Sequence, residues 1–259
     1  MTLNLDRPRT RLFAAEPLQD GAMIAGDADL ARRLGAVLRL AAGDRVLLFN
    51  GRDGEWLAEI AELSRNRVTL ACRQRVRGPA PGTDLWLLFA PLKGGRTEYV
   101  VEKATELGVT RIVPVQTRRS DVPRVNAARL RANAIEAAEQ CDRLSVPEIA
   151  DMAPLDKALS NWPASRALLL CAEHGTAEAL APAATQLAGQ PLALLVGPEG
   201  GFDPAELDGL AKLPFVRRVG LGPRVLRADT AAFAALSVLQ AVAGDWTEGK
   251  ADRRPPFRD

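Results

Sequence analysis

The sequence predicts an α/β protein with a small β-rich module at its amino end. Two patterns carry that prediction. Up to residue 76, short apolar runs recur at roughly ten-residue spacing between turn signals. From residue 85 onward, apolar runs alternate with stretches of helical periodicity, the pattern of a largely parallel sheet covered by helices.

In residues 1–76 the runs are Arg45-Val-Leu-Leu-Phe49, Trp56-Leu-Ala-Glu-Ile60 and Val68-Thr-Leu-Ala-Cys72, separated by Asn50-Gly51, Asp53-Gly54 and Asn66. That spacing suits a small antiparallel barrel or sandwich, with one helical stretch from Ala28 to Leu40. Residues 77–84, Arg-Gly-Pro-Ala-Pro-Gly-Thr-Asp, form the linker. In residues 85–247, Leu85 to Ala90 is a continuous apolar run, as expected of a strand buried on both faces. Thr97 to Leu107 has helical spacing, with Gly108 placed at its carboxyl end. Arg111 to Val115 predicts a strand and Ala127 to Cys141 a helix. Ala167 to Cys171 and Leu192 to Val196 are two further apolar strands. Asp203-Pro-Ala-Glu206 has the N-cap, proline and third-position glutamate of a helix start. Val216 to Leu221 then predicts a strand and Thr230 to Ala243 a last helix. Residues 248–259 form a polar tail.

The chain has 259 residues, 47% hydrophobic and 25% charged, with 34 Lys+Arg against 32 Asp+Glu. That balance excludes an intrinsically disordered chain. Cys72, Cys141 and Cys171 are scattered, which argues against a disulfide framework and against a zinc site. The only histidine is His174. The first ten residues have no apolar core and do not read as a secretory signal, and the longest nearly apolar stretch, Ala231 to Ala243, is too short to span a bilayer. These features place the protein in the cytoplasm, with no metal and no membrane partner.

Two loops follow buried strands, and ligands of open α/β sheets bind at the carboxyl ends of strands. In Val196-Gly-Pro-Glu-Gly-Gly-Phe202, three glycines let a ligand approach the backbone, although a plain strand-to-helix turn uses glycines as well. The spacing is neither Gly-x-Gly-x-x-Gly nor a Walker loop. In Gly220-Leu-Gly-Pro-Arg-Val-Leu-Arg-Ala-Asp-Thr230, two arginines and an aspartate stand among apolar residues, a mixture that suits a small-molecule pocket. Asp229 or Thr230 also reads as the N-cap of the final helix. Between Arg111 and Arg131 six arginines accompany a single acid, Asp121. Such a run follows a phosphate backbone or forms a solvated face.

At these same residues the chain resembles a known family. Leu195-Val-Gly-Pro-Glu-Gly-Gly-Phe202 and Leu221-Gly-Pro-Arg-Val-Leu-Arg227 resemble two signatures of the RsmE-type ribosomal RNA methyltransferases, which methylate N3 of a uridine in 16S rRNA. Lys103-Ala-Thr-Glu-Leu-Gly-Val109 with Lys93 and Glu98, Glu139-Gln140 with Arg143 and Pro147, Arg11-Leu-Phe13, Val37-Leu-Arg39 and Phe49-Asn-Gly51 are similar too. The matches run in order from Arg11 to Trp246. The resemblance implies a PUA-like RNA-binding β-barrel over 1–76 and a SPOUT-type α/β domain with a trefoil knot over 85–247. It further implies S-adenosyl-L-methionine as cofactor, 16S rRNA of the small ribosomal subunit as partner, and a homodimer.

Carried over, Leu195, Val196, Gly197, Pro198, Glu199, Gly200 and Gly201 form one wall of the cofactor site. Leu221, Gly222, Leu226 and Thr230 form another, and the strand end near Leu170 to Ala172 supplies a third edge, with Leu170 as its cofactor candidate. Arg227 and Asp229 are the catalytic candidates, with Arg224 and Glu199 as further groups to stabilise or deprotonate the base. Arg11, Arg32, Arg33, Arg39, Arg118, Arg119, Arg124 and Arg143 are candidate RNA contacts. The chain departs from the family pattern at Arg32-Arg33, where a histidine pair is common, and at Arg227-Ala-Asp-Thr230, where the family reads Arg-Thr-Glu-Thr. The competing expectations are a methyltransferase for a different RNA and a non-catalytic RNA-binding assembly factor.

Overall fold

The computed structural model describes residues 8–80, 82–172 and 177–247, so His174 and the tail at 248–259 lie outside the described residues. The described chain divides into two units. One comprises 8–80 together with 138–146; the other comprises 82–137, 147–172 and 177–247.

The first unit holds β1 (Arg11–Phe13), β2 (Met23–Gly26), α1 (Ala28–Arg32), β3 (Arg45–Phe49), β4 (Glu55–Leu63) and β5 (Val68–Arg77). They form a five-stranded sheet in the order β1-β3-β4-β5-β2. The antiparallel expectation needs one correction: β1 runs parallel to β3, while β3, β4, β5 and β2 pair antiparallel. Three residues are too short a run to announce a strand or its direction in the sequence. The helix expected over Ala28–Leu40 is α1 followed by one π turn at Arg33–Val37. Asp27 caps it, accepting from the Leu30 amide at 2.9 Å. Leu12, Leu34, Val46, Leu48, Ile60, Val68, Leu70 and Cys72 form the core on the inner faces. Gly54 turns the chain between β3 and β4 at φ +83, and a Cβ there would collide with the Arg77 carbonyl.

A buried ionic network closes this unit. Glu55 is fully buried and accepts from Arg11 Nε at 2.7 Å on one oxygen and from Arg77 Nε at 2.7 Å on the other. Arg11 lies over the Phe49 ring, 4.6 Å from its centroid. Its remaining donors reach the carbonyls of Ala138 at 2.8 Å, Glu139 at 3.1 Å and Arg143 at 2.8 Å. Glu139 in turn accepts from the Phe13 amide at 3.0 Å and from Arg33 at 2.7 Å. This is how a segment more than a hundred positions downstream becomes part of the first unit.

The second unit contains β6 (Leu85–Phe89), α2 (Arg96–Glu106), β7 (Arg111–Gln116), α3 (Ala127–Gln140), β8 (Glu148–Ile149), β9 (Ala153–Pro154) and α4 (Leu155–Leu159). It continues with β10 (Ala167–Cys171), β11 (Glu178–Ala179), α5 (Leu180–Gln186), β12 (Leu192–Val196), α6 (Pro204–Ala211), β13 (Val216–Gly220) and α7 (Ala228–Ala243). The last turn of α3 belongs to the first unit. The sheet order is β11-β13-β10-β12-β6-β7-β8, with β9 also on β7, and every pairing is parallel. The apolar runs of β6, β10 and β12 occupy its buried centre, as strands covered on both faces require. No described helix is long and apolar enough to cross a membrane.

Register decides where the strands end. Leu85 pairs with Leu192 and Leu192 with Ala167, so Phe89, Val196 and Cys171 finish level with one another. At the opposite edge Arg166 ties the strand starts together, donating to the Leu192 carbonyl at 2.9 Å and to Asp84 Oδ2 at 2.6 Å.

Removing one partner from a buried ionic network is costly because the remaining charge stays desolvated. Glu55→Gln should therefore destabilise the protein by about 3 kcal/mol in urea denaturation, since it strands Arg11, whose side chain is 4% exposed. A loss below about 1 kcal/mol would show that the network does not hold this unit together.

Candidate active site

The level carboxyl ends of β10, β12 and β13 open into a cavity of about 350 Å³. Cys171 at the end of β10 and Ala172 after it line the cavity, Val196, Gly197, Pro198, Gly200, Gly201 and Phe202 contribute at and after the end of β12, and Val219 and Gly220 from β13. The loop from Leu221 to Leu226 closes the far side, with Ala228 and Ala231 of α7 behind it. A volume of this size holds a nucleoside-sized ligand.

Glycine makes the walls thin. Gly201 turns at φ +65 and Gly222 at φ +98, conformations that L side chains rarely adopt. A Cβ on Gly197 would stand 2.8 Å from the Phe202 ring, which folds back over the loop. The lining is therefore mostly glycine and apolar side chains, with Arg119 and Arg224 as its charged groups. The donor set contains no metal site: among the described residues no group of three or more His, Cys, Asp or Glu side chains could hold an ion.

The loop between β12 and α6 is fastened from outside. Asp203 caps α6, accepting from Ala205 N at 3.0 Å, and Glu206 Oε2 accepts from Asp203 N at 3.1 Å, the reciprocal box read from the sequence. Glu206 Oε1 also accepts the Arg118 amide at 2.8 Å. Arg118 Nη1 lies 3.1 Å from Asp203 Oδ1, and Arg119 Nη1 donates to the Gly200 carbonyl at 3.2 Å.

Most of the residues expected to hold the cofactor meet at this cavity. Val196, Gly197, Pro198, Gly200, Gly201, Leu221, Gly222 and Leu226 line it, as does Arg224. Leu170 and Leu195 are fully buried in the core and do not line it, because alternate strand residues face opposite ways, and the expected third edge is formed by Cys171 and Ala172. Glu199 is exposed and outside the lining, as are Arg227 and Thr230. Asp229 is 17% exposed; its Oδ1 accepts the Thr230 amide at 2.7 Å, and its Oδ2 lies 3.9 Å from Arg96 Nε. Neither Asp229 nor Thr230 is the N-cap of the last helix. That helix starts at Ala228 with Arg227 at the cap, which puts Asp229 in its first turn.

The candidate RNA contacts sort by burial. Arg11 is withdrawn from RNA altogether, since its guanidinium is consumed by the network around Glu55. Arg143 supplies a carbonyl to that network, and its Nε donates to Ser145 at 3.2 Å. Arg33 pairs with Glu139, and Arg32 pairs with Asp29 at 2.6 Å on the surface. Arg39 is exposed at φ +56. Arg118, Arg119 and Arg124 are exposed on the loop after β7, and Arg119 also reaches the cavity wall. Sequence reasoning missed Val219 and Arg119 as cavity residues. The strand-end rule contained the signal for Val219, whereas Arg119 was read only as part of a basic run.

Comparison with known proteins decides the family. The RNA methyltransferase domain family matches residues 79–240, and the RNA methyltransferase PUA domain family matches residues 34–71. A ribosomal RNA small subunit methyltransferase E from Rickettsia conorii is 34% identical over 202 residues, covering 78% of this chain and 82% of that protein. The chain belongs to the ribosomal RNA small subunit methyltransferase E family. Among solved structures of this family, the Neisseria gonorrhoeae enzyme bound to S-adenosyl methionine aligns with a TM-score of 0.83 at 26% identity, over 92% of this chain and 99% of that one. A methyltransferase from Legionella pneumophila in complex with the same cofactor aligns at 0.80 with 30% identity, again over 92% and 99%.

Burial pushes the Cys171 thiol up to about 12, so it stays neutral at the cavity wall and is no nucleophile at physiological pH. A thiol raised in the folded state favours folding fully below its unfolded pKa near 9, and that stability is lost as the pH rises toward 12. Cys171→Ala should therefore lose less stability than the wild type between pH 9 and pH 12, measured by chemical denaturation across that range. Identical slopes for the two proteins would contradict the buried neutral thiol.

Proposed function

We propose that this protein transfers a methyl group from S-adenosyl-L-methionine to N3 of a uridine in 16S rRNA of the small ribosomal subunit. The observation that carries the reading is the glycine-walled cavity at the carboxyl ends of β10, β12 and β13, in a chain of this family whose solved relatives hold that cofactor. The cofactor supplies a sulfonium-activated methyl group when bound. Gly197 to Gly201 and Leu221 to Leu226 hold it through backbone and small side chains and exclude water from its reactive end.

Uridine N3 carries a proton, so the site needs a base or a cation that stabilises the uracil anion. Asp229 is the carboxylate for that task; one oxygen accepts the Thr230 amide, and the Arg96 guanidinium lies 3.9 Å from the other. Arg227 and Arg224 supply positive charge on the loop before α7. Arg118, Arg119, Arg124, Arg32, Arg33 and Arg39 follow the RNA backbone, and the N-terminal unit acts as the PUA-like RNA-binding module. The reading further includes a trefoil knot formed by the loops around the cavity, a homodimer, and a cytoplasmic location. Extrusion of the target base from its stack brings N3 within reach.

Two measurements test this. In rRNA from a strain lacking the gene, mass mapping should find one small-subunit N3-methyluridine missing, and its persistence would overturn the assignment. Gly200→Val adds bulk at a residue of the cavity lining that is free of the left-handed conformation, where a Cβ meets Arg119 Cβ at 3.8 Å and the Arg119 carbonyl at 4.0 Å. It should keep the fold and weaken S-adenosylmethionine binding at least about tenfold in calorimetry. Unchanged affinity would place the cofactor elsewhere.

A further inference from the structure

We propose that Arg119 is a positioning residue that couples RNA binding to cofactor binding by holding the Gly-rich loop through the Gly200 carbonyl. This rests on the reading that the cavity takes S-adenosylmethionine and that RNA approaches along the arginine-rich loop after β7.

The contacts form a continuous path. Arg119 Nη1 donates to the Gly200 carbonyl at 3.2 Å, and its Nη2 stands 3.9 Å from Asp203 Oδ2. The next residue back, Arg118, is fixed through its amide to Glu206 and through its guanidinium to Asp203. Asp203 and Glu206 are also the two members of the capping box that starts α6 directly after the cofactor loop. One end of the glycine-rich segment is therefore set by strand β12 and the other by a polar knot shared with the loop after β7. Between these two ends the Gly200 carbonyl is gripped by one side chain, and that side chain also lines the cavity.

The same side chain faces outward. Arg119 is 48% exposed and Arg118 64% exposed. The one acid in this basic run, Asp121, is engaged at 2.8 Å with Lys93. A guanidinium has five N–H donors in a planar fork, and the contacts to Gly200 and Asp203 leave part of the fork for a phosphate oxygen. A phosphate seated there immobilises Arg119, which in turn immobilises Gly200 before the cofactor arrives. The entropy of ordering the loop is then met by the first ligand, and the second binds more tightly. Linkage makes the effect reciprocal: the cofactor tightens RNA by the same factor.

The test uses S-adenosylhomocysteine, which lacks the transferable methyl group, so that both ligands can be held at equilibrium without turnover. Its affinity is measured by equilibrium dialysis with the full-length protein, alone and with saturating small ribosomal subunits from the deletion strain. Wild type should bind it about fivefold more tightly when the subunits are present, the lower end of ordinary allosteric coupling. Arg119→Ala should bind it about fivefold more weakly alone and show no gain from subunits, with an unchanged melting temperature. Arg119→Lys keeps the charge but not the fork, so subunit affinity should recover without the coupling. Arg124→Ala should weaken subunit binding while leaving the coupling in place. Retained coupling in Arg119→Ala, or loss of coupling in Arg124→Ala alone, overturns the proposal. Failure of the wild type to bind S-adenosylhomocysteine or S-adenosylmethionine at all would instead refute the assigned function.

Discussion

The parallel register of β6, β12, β10 and β13 is the constraint on which the site depends. Because these strands end level, three separate loops leave the sheet at one edge and meet. A slip of one residue in any of these pairings would stagger the strand ends, so the loops that follow them would no longer leave the sheet at one level. The energy that prevents the slip comes from burial. Leu168, Leu170, Ala193, Leu195 and Leu88 are all fully buried, and each side chain of leucine size contributes about 2 kcal/mol when removed from water. Arg166 adds a polar check at the opposite edge, since its two fixed acceptors, the Leu192 carbonyl and Asp84, belong to neighbouring strand starts. The pocket is thus a by-product of a core that tolerates only one alignment.

Within that frame, polar groups serve more than one purpose. The Asp203–Glu206 box satisfies the amides at the start of α6, yet its carboxylates also hold the Arg118–Arg119 pair. Glu55 does the same in the first unit, where one carboxylate anchors two arginines from different strands. Charge-assisted bonds of this kind are directional in a way that apolar contacts are not, so they fix loops that the core alone would leave loose.

Much of this was legible in the sequence because the relevant signals are local. The runs at Leu85, Ala167 and Leu192 are apolar throughout, and only strands buried on both faces need that. The Asp203-Pro-Ala-Glu206 start is a four-residue pattern with its own hydrogen bonds, and it appears as read. The glycines of the two loops marked the cavity walls because close backbone approach is a property of the residue itself. What stayed hidden depends on distant pairing. Strand β1 has three residues and takes its direction from β3, where Arg11 pairs with Leu47. The membership of 138–146 in the first unit rests on partners distant in sequence: carbonyls that meet Arg11, the Glu139 carboxylate on Phe13 and Arg33, and Ala138 and Leu144 packed on Phe49.

Arginine is where sequence and structure part most instructively. A count of six arginines against one acid between residues 111 and 131 invites a single explanation, that of a surface for phosphates. The geometry divides the arginines by what they already hold. Arg11 belongs to a segment that resembles the family, and it is buried against Glu55, so its place in the fold is explained by folding rather than by RNA. Arg119 is bound on one side to a loop carbonyl and open on the other, and Arg124 is simply exposed. A guanidinium reports its role through the acceptors in front of it, and these are set by tertiary structure. Net charge and charge runs therefore identify where a polyanion can approach, whereas the arginines that transmit its arrival are those with one face already committed to the protein.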